Sequence, residues 1–197
     1  MKKEDVQILE ESWLHRSFLK LKYYQLRHKL FTGGWSGILR RELISRPRVA
    51  GVLPYDPVLD KVILIEQFRP GALASENPWL LEVVAGIAEG EESLEALVHR
   101  EIQEEAGLEA LELKLMYDYW ASPGMCDEKV ALFCARVDAS HAGGIYGLAE
   151  EGEDIRVHVL SSAEAFALLD TGRVSNAMSL IALQWLRLHG DVFEKRT

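Results

Sequence analysis

The sequence predicts an α/β fold, a mixed sandwich with helices packed on a largely mixed β-sheet. Three observations carry that prediction. Segments with strand periodicity or short continuous apolar runs dominate the chain up to about residue 160, one amphipathic helix interrupts them, and two helical segments follow the last strand. With 48% hydrophobic and 27% charged residues, the 197-residue chain can bury one main core and carry a small appendage.

The opening stretch MKKEDVQILEESWLHRS has an acidic middle and no apolar run of signal-peptide length. No later segment reaches the length of a membrane span, so a cytoplasmic protein with no membrane partner is expected. Residues 17–46 alternate apolar and polar side chains in FLKLKYYQL and GILRREL around the Gly-rich FTGGWSG, which predicts a hairpin too small to stand alone. A second hairpin is expected from RVAGVLPY and KVILIEQF, because Pro57 and the two aspartates of DPVLD supply turn chemistry between them. The unbroken apolar run at 62–65 predicts a strand buried on both faces. PWLLEVVAG is strand-like, the helix follows, and LKLMYDYW and EKVALFCARV are the next strands. The acidic loop GLAEEGED then leads into the alternating strand IRVHVL. Ser161 and Glu164 form a capping-box pattern before AFALLDTG, and SNAMSLIALQWLRLHG is a longer amphipathic helix ended by Gly190.

Charge and cysteine usage narrow the function classes. A formal net charge of −9, from 22 basic and 31 acidic residues, argues against a broad grip on nucleic acid or an anionic membrane. An anionic ligand would need a bound cation to bridge the mismatch. The two cysteines, Cys126 and Cys134, form no CxxC pair and have no matching histidine spacing, so neither a disulfide framework nor a structural zinc site is indicated.

The stretch GIAEGEESLEALVHREIQEEAGL places three glutamates on the last turn and a half of the amphipathic helix. With Leu94 at zero on a helical wheel, Leu97 falls at roughly 300°, Val98 at roughly 40°, Glu101 at roughly 340° and Glu105 at roughly 20°. Two acids thus continue the apolar stripe, and Glu104 lies beside Glu101 at i,i+3. Like charges at i,i+4 cost a few tenths of a kcal/mol, and acids at a helix C-terminus oppose the macrodipole. A divalent cation reverses both signs, and an all-oxygen donor set suits Mg²⁺ or Mn²⁺. The bland alternative is a solvated acidic face.

The spacing decides between these readings. Gly86, five residues, Glu92, seven residues, then Arg100, Glu101, Ile102, one residue, Glu104, Glu105, one residue, Gly107 and Leu108 match the box of the Nudix hydrolases without a gap. The resemblance implies an α/β/α sandwich with a mixed sheet and a box whose glutamates hold divalent ions against a nucleoside diphosphate linked to another group. It implies Glu101 and Glu105 as principal ligands, Glu104 assisting, the Ala85 carbonyl adding an oxygen, and Arg100 orienting the acids. Glu92 reads as architectural, an acid near the helix N-terminus.

Outside the box, Pro123 in ASPGMCDE stands fifteen residues after Leu108, where the ADP-ribose pyrophosphatases of the family carry a proline. RREL, LIEQFRPGA, PWLLEVVAG, GLAEEGEDIRVHV and SLIALQWL also resemble the bacterial enzymes of that subfamily, in the same order, over nearly the whole chain after about residue 17. This resemblance implies a homodimer that exchanges a small N-terminal antiparallel sheet, residues 1–46, between catalytic domains spanning 47–197. It sets Phe18 against the adenine from the partner chain and Arg41, Arg46 and Arg69 around ribose and phosphates. Ser122, Pro123 and Gly124 would line the terminal ribose, with Glu128 nearby. In the acidic loop it points to Glu151 as the base that activates water, with Glu150 as its alternative, and to Glu153 as a further metal ligand. The implied reaction is hydrolysis of ADP-ribose to AMP and ribose 5-phosphate with two or three Mg²⁺ per site. A GDP-sugar hydrolase and a non-catalytic ADP-ribose sensor are the alternatives; the intact box glutamates favour the enzyme.

Overall fold

A computed structural model describes residues 1–193, and for Glu151 the backbone only. The chain forms two compact units, Met1–Arg48 with Tyr119–Lys129, and Val49–Asp118 with the chain from Val130 onward.

The first unit is built on an antiparallel sheet of three strands in sequence order, β1 (Val6–Arg16), β2 (Lys20–His28) and β3 (Leu39–Ser45). The hairpin expected over residues 17–46 forms as β2 and β3, and the acidic opening stretch adds to it an eleven-residue strand, β1, that was not expected. Its alternation is hidden by two irregularities in the β1–β2 register, between Ile8 and Glu10 and between Trp13 and His15. Each interrupts the period-two pattern beside an adjacent apolar pair, Ile8–Leu9 or Trp13–Leu14. Phe18 lies in the turn between β1 and β2 and is 87% exposed. The segment after Trp120 joins this unit, with Ile44 N–H donating to the Met125 carbonyl (2.9 Å) and Asp127 N–H to the Ile44 carbonyl (3.1 Å).

The second unit carries a mixed sheet of β4 (Val49–Asp56), β5 (Lys61–Phe68), β6 (Trp79–Glu82), β7 (Val84–Ile87), β8 (Glu112–Trp120), β9 (Lys129–Arg136), β10 (Gly144–Tyr146) and β11 (Ile155–Ser161). The main order is β10-β11-β5-β4-β9-β8, with β4 parallel to β9 and the β4–β5, β5–β11 and β10–β11 ladders antiparallel. Helix α1 (Leu94–Ala106) packs Leu97, Val98 and Ile102 against Ala50, Val52, Ile63 and Ile65. Helices α2 (Ser162–Asp170) and α3 (Ala177–Leu188) follow β11. Met178 of α3 packs on Gly51, which alternates with Ala50 and Val52 along β4, so α1 and α3 cover opposite faces. That explains the continuous burial of 62–65. The Ser161–Glu164 capping box is present, whereas α3 ends at Leu188 with His189 as its cap, one residue before Gly190. Among the described residues no helix is long and apolar enough to cross a membrane.

The expected strand PWLLEVVAG is two strands. β4 and β5 pair directly only at Tyr55↔Val62 and Asp56↔Lys61; beyond that they part, and the chain crosses the gap between them. β6 pairs with β5, β7 pairs with β4, and Val83 belongs to neither ladder. The loop from β5 to β6 is pinched at its neck by Arg69 N–H donating to the Pro78 carbonyl (2.9 Å).

Candidate active site

Helix α1 starts where Ser93 Oγ accepts the Ala96 N–H (3.1 Å) and stops at Gly107, whose φ of 63° is the left-handed conformation that glycine adopts freely. Burying Leu97, Val98 and Ile102 stabilises the helix by roughly 1.5–3 kcal/mol each, well above the few tenths lost to like-charge neighbours. The apolar stripe therefore carries the acids into the interior. Glu101 and Glu105 are buried, at 9% and 2% exposure, while Glu104 is half-buried.

The gap crossed by the β6–β7 chain explains how a carboxylate is accommodated there. Ala85 N–H is turned away from the β4 ladder and donates to Glu105 Oε2 (3.1 Å). Gly86 is required for the same approach, because a Cβ at that position would overlap the Glu101 carboxylate. Arg100 is the organising cation. Its Nη1 contacts Glu101 Oε1 (2.9 Å) and Glu104 Oε2 (3.0 Å), and its Nε and Nη2 donate to the two oxygens of Glu92 (3.2 Å each). Glu92 is thus a fork that holds Arg100, a role beyond the dipole contribution expected of it. The Arg100 hydrogen bond holds the Glu92 carboxyl below its ordinary value.

Burial pushes the Glu101 carboxyl up to about 7, with Glu104 and Glu153 raising it further and Arg100 opposing. Burial likewise pushes Glu105 up to about 8; the Ala85 N–H and Arg69 oppose this, and Glu101 and Glu153 reinforce it. Glu153 therefore lies within electrostatic reach of both buried acids. Its Oε2 accepts the Leu148 N–H (3.1 Å), and the same loop is tied to α1 by Gly147 N–H donating to the Glu104 carbonyl (3.3 Å). The side chain of Glu151, the expected base, lies outside the described residues; its backbone is in a short 3-10 turn, Ala149–Glu151. Glu150 stands in the same turn.

Arg69 pairs with Glu82 Oε2 at 2.7 Å. Glu82 was not singled out in the sequence, since only the tertiary position of β6 buries it; burial raises its carboxyl against the pull of Arg69. In the first unit, Arg46 donates through Nε to Glu128 Oε2 (3.2 Å) and through its backbone N–H to Asp127 Oδ1 (2.6 Å), joining two expected substrate residues. Arg41, Pro123 and Gly124 line one cavity of about 510 Å³ with Tyr24, Leu26 and Leu39. Ser122 closes the intervening turn, its carbonyl accepting the Met125 and Cys126 N–H groups. Phe18 is not among the residues lining that cavity.

Among the described residues no three acidic, histidine or cysteine side chains converge at ligating distance. Arg100 engages Glu101 and Glu104, and Glu105 faces the Ala85 N–H. The donor chemistry nonetheless fits a hard divalent ion: Glu101, Glu104, Glu105 and Glu153 supply only carboxylate oxygens, and the two most buried of them carry raised values that a cation would relieve.

The NUDIX domain family matches residues 45–178. An ADP-ribose pyrophosphatase of Escherichia coli is 48% identical over 188 residues, covering 95% of this chain and 90% of its own, and one of Haemophilus influenzae is 43% identical over 190 residues, covering 94% and 88%. A GDP-mannose pyrophosphatase of Enterobacter sp. is 32% identical over 154 residues, covering 77% and 79%. A crystal structure of an ADP compounds hydrolase superposes with a TM-score of 0.70 at 20% identity, covering 96% of this chain and 98% of that one, which is a likeness of fold. With the box in one unbroken register and its acids buried beside the split in the sheet, the chain belongs to the Nudix family.

Proposed function

We propose that this chain hydrolyses the diphosphate of ADP-ribose to AMP and ribose 5-phosphate with Mg²⁺, for which Mn²⁺ can substitute. The observation that carries the reading is the pair of buried carboxyls on the last turns of α1, Glu101 held with Glu104 by Arg100 and Glu105 facing the Ala85 N–H. The names of the relatives, ADP-ribose pyrophosphatase at 43–48% identity against GDP-mannose pyrophosphatase at 32%, favour ADP-ribose over a GDP-sugar.

Glu101, Glu104, Glu105, Glu153 and the Ala85 carbonyl would hold two or three ions. Cations held there would supply charge neutralisation of the diphosphate and a lowered pKa for the attacking water. Glu151 accepts that water's proton, with Glu150 next in line. Arg100, itself held by Glu92, keeps Glu101 and Glu104 aimed at the same patch. Arg69 offers positive charge to the phosphates from beside Glu105. Resemblance assigns the rest to a homodimer with exchanged N-terminal sheets: Phe18 stacks on the adenine held by the other subunit, Arg41, Arg46 and Glu128 contact the nucleotide, and Ser122, Pro123 and Gly124 line the terminal ribose. The exposed Ile8, Leu9, Trp13 and Leu14 of β1 give such an exchange apolar surface to bury. A cytoplasmic location suits this small-molecule substrate.

Incubation of the purified protein with ADP-ribose, GDP-mannose and dinucleotides in Mg²⁺, followed by product analysis, tests the reading. AMP and ribose 5-phosphate from ADP-ribose, at the highest kcat/KM of the panel, are expected; preference for GDP-mannose overturns it. Glu151→Gln should retain Mg²⁺ binding while kcat falls by about 10²–10⁴. Unchanged kcat in that variant passes the role of base to Glu150.

A further inference from the structure

The hydrolytic reading uses no residue of α3, yet the first turn of this helix grips the chain where it crosses from β5 to β4. Glu82 is the last β6 residue in register with β5, opposite Ile65, and Val84 is the first in register with β4, opposite Val52. Val83 stands between them, and its N–H donates to Ser179 Oγ at 2.9 Å. Ser179 is itself fully buried. Asn176 Nδ2 donates to the Leu81 carbonyl at 3.0 Å. Met178 packs so closely on Gly51, the register partner of Ala85, that a Cβ there would overlap its sulfur. Positions 81, 83 and 51 are thus all held from α3.

The residues immediately beyond this crossing are those that meet the buried acids on the opposite face. Ala85 N–H donates to Glu105, and Gly86 abuts the Glu101 carboxylate. A backbone without a ladder partner at residue 83 has no register of its own, so a side chain must fix where β7 begins. We propose that the N-terminal turn of α3 positions the cation-holding acids: Asn176 and Ser179 pin the crossing, and the crossing sets where Ala85 and Gly86 meet Glu105 and Glu101. This rests on the reading of those glutamates as cation ligands, and Asn176 and Ser179 are positioning residues that touch neither cation nor substrate.

Direct Mn²⁺ titration, followed by the electron paramagnetic resonance of the free ion, tests the brace without relying on turnover. Asn176→Asp keeps an acceptor for the Ser179 N–H that caps α3, and removes the donor to Leu81. Its added negative charge would by itself tighten cation binding, so weaker binding reports position. Ser179→Ala removes the contact to Val83. Each variant should raise the Mn²⁺ dissociation constant by about tenfold, the scale seen when groups supporting metal ligands are removed. Leu186→Val, at the far end of α3, should leave it within about twofold. Hydrogen exchange at Val83 should quicken in Ser179→Ala. Wild-type Mn²⁺ affinity in both folded variants overturns the proposal, as does equal weakening by Leu186→Val. A wild-type protein that binds Mn²⁺ but leaves ADP-ribose intact overturns the substrate reading alone, and the same titrations still decide the brace; a wild-type protein that binds no Mn²⁺ overturns both.

Discussion

Glu101 and Glu105 sit where their charge is disfavoured, at about 7 and about 8 against an ordinary 4.5. A carboxyl raised on folding prefers to be protonated in the native state. Its stabilising contribution is fully present below about pH 4.5 and is lost as pH rises through 7 and 8. Without added metal, the melting temperature should fall between about pH 5.5 and 8.5. Mg²⁺ should restore most of it at the alkaline end, where it meets carboxylates free of protons. At a hundredfold excess over Kd the gain is about 2.7 kcal/mol. Scanning calorimetry at both pH values checks this; a larger Mg²⁺ shift at pH 5.5 would contradict it. The buried placement of these two acids was legible because a helical period needs only local sequence. The Glu92 fork on Arg100 was less so, since it depends on how the loop before Ser93 folds back along the helix. Glu82 left no signal at all, because its burial comes from neighbours distant in sequence.

Helix α1 and strand β10 meet at Gly107, whose position is closed to any other residue for two reasons. Its φ of 63° strains a side chain, and a Cβ would overlap the Tyr146 ring. Gly107→Ala should therefore push Tyr146 outward and shift the loop that begins at Gly147, which carries Glu151 and Glu153. We expect kcat to fall at least about tenfold with a loss of stability on the order of 1 kcal/mol or more, read by steady-state kinetics and urea unfolding. Retained kcat would separate this junction from the loop. Elements with an uninterrupted period, such as β5, α1 and α2, could be read directly from the chain. β1 could not, because two register irregularities break its alternation, and β6 and β7 could not be told apart, because the partner of the Val83 N–H is Ser179, nearly a hundred residues away.

At the scale of the whole molecule, the proposed reaction sets an anionic diphosphate against a net charge of −9, which bound cations would bridge, and the proposed homodimer would cover the exposed apolar side chains of β1. Light scattering should return twice the 22.2 kDa chain mass, and Phe18→Ala should raise KM for ADP-ribose without abolishing Mg²⁺ binding. A monomer at micromolar concentration would remove Phe18 from the substrate site. The mixed sheet and its box helix were legible in the chain, while its division into units was harder to see, because Tyr119–Lys129 returns to the first unit long after the chain has left it. The pinched loop between β5 and β6 has a consequence for how such a scaffold diversifies. With Arg69 and Pro78 closing its neck, the loop can lengthen at about 0.6 kcal/mol per doubling without disturbing either strand. Insertions and deletions there would be nearly neutral for folding, leaving selection free to vary the loop while the strands on either side of it, and the acids they help to hold, stay the same.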